Sequence, residues 1–459
     1  MTGMFPFLTL LIFFGSAFQQ PQNPPDALAR DILKELIEIN TTDSTGDCTK
    51  AAQAMAARLL AAGFAAEDVK VLAPAPRKGN LVARLRGTGA QRPLLLLAHL
   101  DVVEARREDW TMDPFTFVEQ GPYFYGRGTS DDKGMAAIWI ATLIRFKQEG
   151  FQPNRDIIVA LTADEEGGRF NGVQWLLRNH RDLIDASFAL NEGGGGEIKN
   201  GKRVLNSVQA SEKTYLSYRL EVTNPGGHSS RPTKDNAIYR LADGLNRLGR
   251  FEFPVKLNEV TSAYFRKMAD LSSGPAAADM RAILKTPPEA RAAERLSQTP
   301  YDNALLRTTC VPTRLDAGHA DNALPQAARA TVNCRILPGE SVSEIRATLV
   351  RVLNDSRISV TPIESAVTSE ASALRPEVMA PIERITSEMW PGVVVVPVMA
   401  TGATDGLFLR NAGIPTYGVS GIFSDVSDNR EHGRDERIGI VAFFEAREFL
   451  FRLVKAYTS

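Results

Sequence analysis

The sequence predicts an α/β protein whose mainly parallel sheet is interrupted by an inserted α+β domain. Three observations carry that reading. The first is a set of apolar runs that end in polar residues. Leu94–Ala98 leads into His99 and Asp101, Ile157–Ala163 into Asp164-Glu165-Glu166, and Phe188–Leu190 into Asn191-Glu192. Uninterrupted apolar runs fit strands buried on both faces, and polar groups at their carboxyl ends mark a ligand site at the sheet edge. The second is that such runs alternate with helical periodicity, the pattern of strands covered by crossover helices. The third is a change of period after residue 212. From there apolar and polar positions alternate one by one, as in half-exposed antiparallel strands.

Helical spacing opens the chain at 26–40 and recurs at 49–62. Short strands are expected at 69–72 and 81–85, ahead of the 94–97 run. Gly126–Gly134 (GRGTSDDKG) is a glycine-bounded loop feeding a strongly apolar helix over 135–149, and 173–179 is another helix. In the alternating region Leu216, Tyr218, Leu220 and Val222 share a face, as do Ala330, Val332, Cys334 and Ile336. Residues 358–361 follow the same rule, and helices are expected at 237–248 and 342–353. Residues 250–318 read as an irregular insertion rich in Ala, Pro and Arg. After 366 a helix over 377–389 and buried strands at 393–398 and 416–419 restore the α/β character. The expected organisation is an α/β domain in two parts, 26–212 and 366–459, around an inserted α+β domain at 213–365.

The 459 residues are enough for two or three domains and a large core. With 44% hydrophobic and 23% charged residues, the composition is that of an ordinary globular protein. A net charge of −1 without basic runs gives no footing for nucleic acid or an anionic membrane surface. Met4–Phe18 (MFPFLTLLIFFGSAF) carries no charge and falls short of the roughly 20 residues a membrane span needs. Gly15-Ser16-Ala17 offers a small-residue cleavage site. Residues 1–17 are therefore expected to be a secretory signal peptide, although the usual positive n-region is lacking; an uncleaved anchor is the competing reading. Removal would leave a secreted or periplasmic protein with no stable membrane insertion. Three cysteines are too few for a disulfide scaffold, and none forms a C-x-x-C pair. Buried thiols are the plain reading, with Cys310–Cys334 open to bridging in an oxidising compartment.

Only five histidines occur in the chain, so one at a strand end stands out. An H-x-D pair puts the His99 imidazole and the Asp101 carboxylate on the same side of the emerging chain. Nitrogen and oxygen donors gathered at one sheet edge suit Zn, Mn or Co better than thiolate-seeking metals. The adjacent pair Glu165 and Glu166 allows one carboxylate to ligate while the other stays free to take a proton. Glycines 193–196 lack a following helix signal and a Lys-Ser/Thr pair, so a plain turn fits better than a phosphate cradle. Asp132 and Lys133 read as support or surface, His180 as solvated, and His319 as ambiguous beside Asp321-Asn322.

Eight strings occur in one order: AHLDVV, YGRGTSDDKG, TADEEGG, NEGGGG, GGHSSRP, NCRILPGES, ATGATDG and EHGRDERIG. Together they resemble the dinuclear-zinc metallopeptidase family of aminoacylases, glutamate carboxypeptidases, carnosinase-type dipeptidases and succinyl-diaminopimelate desuccinylases. The resemblance covers about residues 27–455. It implies a zinc exopeptidase domain interrupted by a lid of the dimerisation type, and two Zn2+ per chain, with Co2+ or Mn2+ as substitutes. By the same resemblance His99 and Glu192 would hold one metal, Glu166 and His432 the other, and Asp131 would bridge them. Asp101 would hold the His99 imidazole, and Glu165 would be the general base. His228 would stabilise the oxyanion from the inserted domain, in dimeric members from the partner subunit. Asn322, Arg335 and Thr404 (with its Gly402-Ala403 loop) would bind substrate. An arginine there is either solvated or a fork for a substrate carboxylate, and the resemblance favours the fork.

The expected function is hydrolysis of an amide or peptide bond next to a free carboxylate, by a secreted or periplasmic carboxypeptidase or dipeptidase. An N-acyl-amino-acid deacylase is the alternative. A non-catalytic binding protein of the same fold is a distant one, because it predicts broken ligands and every expected ligand is present. The expected partners are a small peptide or N-acyl amino acid as substrate and a second copy of the chain through the inserted domain, with no nucleic acid.

Overall fold

The computed structural model describes residues 24–459; the expected signal segment, 1–17, lies outside them. The largest sheet has ten strands. Its order is Val69–Leu72, Asn80–Leu85, Ile157–Thr162, Leu94–His99, Phe188–Asn191, Thr416–Gly418, Lys202–Glu212, Gly196–Lys199 and Phe423–Asp425, with Val394–Ala400 also paired to Lys202–Glu212. Leu94–His99 lies parallel between Ile157–Thr162 and Phe188–Asn191. All residues of these three strands are buried, which is why their sequences are apolar without alternation. Leu94 and Leu96 pack into the layer that holds Trp139 and Phe443, while Leu95 and Leu97 pack with Leu176 and Leu409 on the other face. Because the three strands run in parallel, their polar ends emerge together at one edge.

A second sheet is fully antiparallel, in the order Thr309–Ala317, Ala327–Ile336, Thr214–Thr223 and Ser359–Pro362. Its inward residues, including Leu216, Tyr218, Leu220, Val222, Val332 and Cys334, form a separate core with Leu241 of the helix Ala237–Gly249 and Leu349 of Val342–Leu353. Cys310 and Cys334 face each other across this sheet and are joined by a disulfide, while Cys48 is a buried thiol.

Residues 250–318 are not irregular. They form the helices Glu259–Leu271, Gly274–Ala282, Ala290–Leu296 and Pro300–Leu306. Val260, Phe265, Ile283 and Leu306 belong to the large core, not to that of the smaller sheet. The chain thus leaves the smaller domain after Phe253, lays a helical layer on the larger one, and returns at Thr309, so 213–365 is not one contiguous unit. Gly274–Ala282 and Ala290–Leu296 are short and alanine-rich, which leaves little contrast between buried and exposed positions for periodicity to register. Among the described residues no helix is long and apolar enough to cross a membrane.

Candidate metal centre

Asp131 stands at the middle of the site, just ahead of the helix Lys133–Gln148. His99, closing its strand, places Nε2 2.9 Å from Asp131 Oδ1. His432, on the loop before the strand Arg437–Gly439, places Nε2 3.0 Å from Asp131 Oδ2. The two imidazoles therefore share one carboxylate, each on its own oxygen. Glu166 Oε1 lies 2.9 Å from His432 Nε2, and Glu192 Oε2 lies 3.7 Å from His99 Nε2. The structure thus brings together all five residues expected to ligate. Two turns of the cluster are held in the left-handed region, with φ 58° at His432 and 60° at Asp164, a strain that sites tolerate when their surroundings over-determine them.

The charges are unbalanced toward carboxylates. Burial pushes Glu166 up to about 7, with Asp131 adding to it. Burial, then Glu192, raises Glu165 and Asp132 well above the carboxylate range. Burial also acts on Asp131, but hydrogen bonds from His432 and His99 outweigh it and hold that carboxyl below its ordinary value. The hydrogen bond with Asp131 lifts His432 to about 9. Among the described residues, one oxygen each of Asp101 and Asp132 is buried without a hydrogen-bond partner. His99 groups with Asp131 and Glu166, and with Asp132 and Glu192, within reach of a common ion. An excess of buried carboxylate, orphaned oxygens and two imidazoles is a donor set that fits borderline divalent cations.

The expected tether from the Asp101 carboxylate to His99 differs in its atoms. His99 Nδ1 lies 2.9 Å from the Asp101 backbone carbonyl, while the Asp101 Oδ1 is 3.7 Å away. A carbonyl can only accept, so Nδ1 carries the proton and Nε2 is left to ligate. The Asp101 Oδ2 instead accepts the Glu166 N–H at 3.0 Å, so this carboxylate holds the glutamate turn. The half-buried Glu165 carboxylate makes no hydrogen bond or ion pair among the described residues, as a free base requires.

Asp132 and Lys133 are not surface residues. Both are buried, and Lys133 Nζ donates to the Ile39 carbonyl at 2.8 Å. Three supports were not singled out in the sequence, although Asp405 lies within the ATGATDG string. Lys78 pairs with the buried Asp164 at 2.5 Å. Asp405, pushed up to about 7 by burial, accepts from Asn171. Glu212 pairs with Arg410 and accepts from the Thr404 N–H and hydroxyl, both at 2.8 Å. The glycine run is a turn into Gly196–Lys199, and a Cβ at Gly194 would strike the Gly418 carbonyl.

The substrate-binding candidates form two groups. Arg335 stacks over Tyr215 at 4.7 Å and donates from Nη1 to the Thr401 carbonyl at 3.4 Å, beside the Thr404 loop. No carboxylate pairs with this half-buried guanidinium among the described residues. Thr404 commits its N–H and hydroxyl to Glu212, which leaves its loop, more than its side chain, to meet a ligand. His228 and Asn322 lie on neighbouring segments: Gly227–His228 pairs with Ala323–Leu324, and the Ser229 N–H donates to the Asn322 carbonyl at 2.9 Å. Both are exposed, and the His228 hydrogen bonds go to Ser230, not to the Asp131 cluster. His180 packs on Trp175 at 4.8 Å, and His319 is exposed. A cavity of about 670 Å3 opens beside Asp131, Asp132 and Glu192, with Met135, Ile422, Phe423 and Ile438 in its walls.

Imidazoles and carboxylates at the edge of a mainly parallel sheet, with a free glutamate beside them, define a metal-dependent hydrolase of the metallopeptidase and amidohydrolase class. The chain belongs to peptidase family M20/M25/M40, whose model matches residues 95–456. It is 29% identical to the human N-fatty-acyl-amino acid synthase/hydrolase, over 79% of this chain and 74% of that protein. It is 30% identical to a probable carboxypeptidase S-like protein of Dictyostelium discoideum, over 79% of this chain and 71% of that one. Among solved structures, a metallo-carboxypeptidase from Sulfolobus solfataricus shares the fold at a TM-score of 0.68 and 16% identity, covering 94% of this chain and 99% of that one. Human carnosine dipeptidase 1 does so at 0.61 and 16%, covering 94% and 98%.

Proposed function

We propose that this chain is a two-metal hydrolase, with zinc as the resident ion, that cleaves an amide bond next to a free carboxylate. The observation that carries the reading is that His99 and His432 share the two oxygens of Asp131 while each has its own further carboxylate, Glu192 or Glu166. His99, Asp131 and Glu192 would hold one ion, and His432, Asp131 and Glu166 the other. When bound, such a pair polarises the scissile carbonyl and acidifies water. Glu165 takes the proton of the attacking water and delivers it to the leaving nitrogen. Arg335, with no acid of its own, receives the substrate carboxylate in a bidentate fork. His228 donates to the oxyanion from the smaller domain. The test is hydrolysis of dipeptides with free and with amidated carboxyl ends. Equal rates on the two would remove Arg335 from this role.

The acyl side favours a second reading, an N-acyl-amino-acid hydrolase. The cavity beside Asp131 and Glu192 is walled in part by Met135, Ile422, Phe423 and Ile438, and a curated relative is named for N-fatty-acyl amino acids. A screen of N-acyl amino acids against dipeptides separates the two.

We also propose export and a shared site. The Met4–Phe18 segment and the Cys310–Cys334 disulfide support an oxidising, extracytoplasmic compartment. N-terminal sequencing of protein exported by its host tests this, and a chain that keeps Met4–Phe18 in the membrane fraction would favour an anchor. Exposed Val311 and Leu315 on the edge strand Thr309–Ala317 support a second copy as partner. Mixing His228→Ala with Glu165→Gln subunits tests whether that copy completes the site, since only a shared site recovers activity.

A further inference from the structure

We propose that Glu436 is the positioning residue for Asp131, an inference that rests on Asp131 being the shared ligand. Glu436 is fully buried, four residues beyond His432. Its carboxylate gathers donors from a loop some 300 positions earlier in the chain. Oε2 accepts Arg127 Nη1 at 2.7 Å and the Gly128 N–H at 3.0 Å. Oε1 accepts the Ser130 N–H at 2.9 Å, the Ser130 hydroxyl at 3.0 Å and the Asp131 N–H at 3.2 Å. Its backbone carbonyl takes the Gly126 N–H at 3.1 Å. Arg127 adds a second link, from Nη2 to the Gly433 carbonyl at 2.8 Å.

All five side-chain contacts of Glu436 are with donors, and both oxygens are used. A buried carboxylate in that setting has one geometry that satisfies it, so the backbone from 127 to 131 is wrapped around it. The last donor is the amide of Asp131 itself. Glu436 therefore fixes where the Asp131 side chain starts. Because it follows His432 so closely, it also ties the loop bearing one ligand to the loop bearing another. The two loops lie some 300 positions apart, and the antiparallel pairing of Arg437–Gly439 with Tyr123–Tyr125 stops short of both, so the Glu436 carboxylate carries the link on to Asp131. Arg127 balances the charge and is itself stacked over Trp110 at 4.9 Å.

Glu436→Gln keeps the volume but turns an amide NH2 toward the Arg127 guanidinium or backbone N–H groups, which can only donate, leaving the Ser130 hydroxyl as the one partner able to accept. The test measures Zn2+ affinity by competition with a chelator, on protein shown to be folded by circular dichroism and gel filtration. Loss of an outer support typically costs about 10–100-fold in metal affinity, and that is the expected drop. A fall in melting temperature of the metal-free protein with unchanged Zn2+ affinity would overturn the proposal, because a purely structural role predicts it. If Glu436→Gln fails to fold, Ser130→Ala removes one hydroxyl donor and leaves the loop backbone intact. A loss on the order of several-fold is then expected, and unchanged affinity would overturn the proposal. Asp131→Asn run in parallel separates the two claims. If it leaves Zn2+ binding intact, the reading of Asp131 fails; if it alone weakens binding, the positioning role fails.

Discussion

Around Asp131 three of the five ligand candidates are pinned from behind. Nδ1 of His99 is held by a backbone carbonyl, the Glu166 amide by Asp101, and the Asp131 amide by Glu436. The groups supplied by the smaller domain are held differently. His228 and Asn322 are exposed on a two-stranded ribbon, and Arg335 touches the larger domain through one 3.4 Å hydrogen bond to Thr401. The contrast separates two tasks. Residues that hold metal must have their geometry set before substrate arrives, whereas groups that close on substrate must be able to move.

The sharpest break on the rigid side is Glu165→Gln. Turnover is expected to fall by about 10²–10⁴-fold while metal content and fold persist, read by steady-state kinetics and elemental analysis. Near-normal kcat would move the base to another residue, with Asp164 next to be tested. On the exposed side, His228→Ala is expected to lower kcat by about 10²–10³-fold with little change in KM. A rise in KM without loss of kcat would make it a binding residue. Arg335→Met comes next. It is expected to raise KM for free-carboxylate substrates by about 10–100-fold, the equivalent of about 1.5–3 kcal/mol, and to leave amidated analogues unchanged.

The pH dependence sharpens the same comparison, because the cluster around Asp131 carries large shifts. Glu166 near 7 and His432 near 9 must both lose protons to ligate. Apparent metal affinity is therefore expected to climb as pH rises through 7 toward 9, with proton release on binding in that window. The metal-free protein behaves oppositely. The stabilisation from protonated His432 is complete below its ordinary value of 6.5 and is lost as pH rises through about 9. Calorimetry in buffers of different ionisation enthalpy measures the release. The smallest effect on the site comes from replacing Cys310 and Cys334 by serine. Thermal unfolding is expected to show a loss of about 2–4 kcal/mol, with metal content unchanged.

Much of the rigid cluster was legible because its residues end buried strands. His99, Glu166 and Glu192 each follow an apolar run, and such runs are visible without knowledge of packing. The supports were not legible for a physical reason. Glu436 lies within the EHGRDERIG string, yet its role, like that of Glu212, rests on donors far away in the chain, and nothing local marks a carboxylate as buried. Asp101 was legible as a partner of the site but not in its atoms, since main chain and side chain compete for His99 within two residues. Two of the 250–318 helices hid behind alanine, and the Cys310–Cys334 bridge, left open by the sequence, was decided by the register of its strands.

The most direct test of the central claim is a zinc titration of the metal-free protein, with elemental analysis at saturation. If Asp131 is shared between His99 and His432, the chain takes up two ions, His99→Ala and His432→Ala each lose a different one, and Asp131→Asn weakens both. One tightly held ion at saturation in the intact protein would contradict the account.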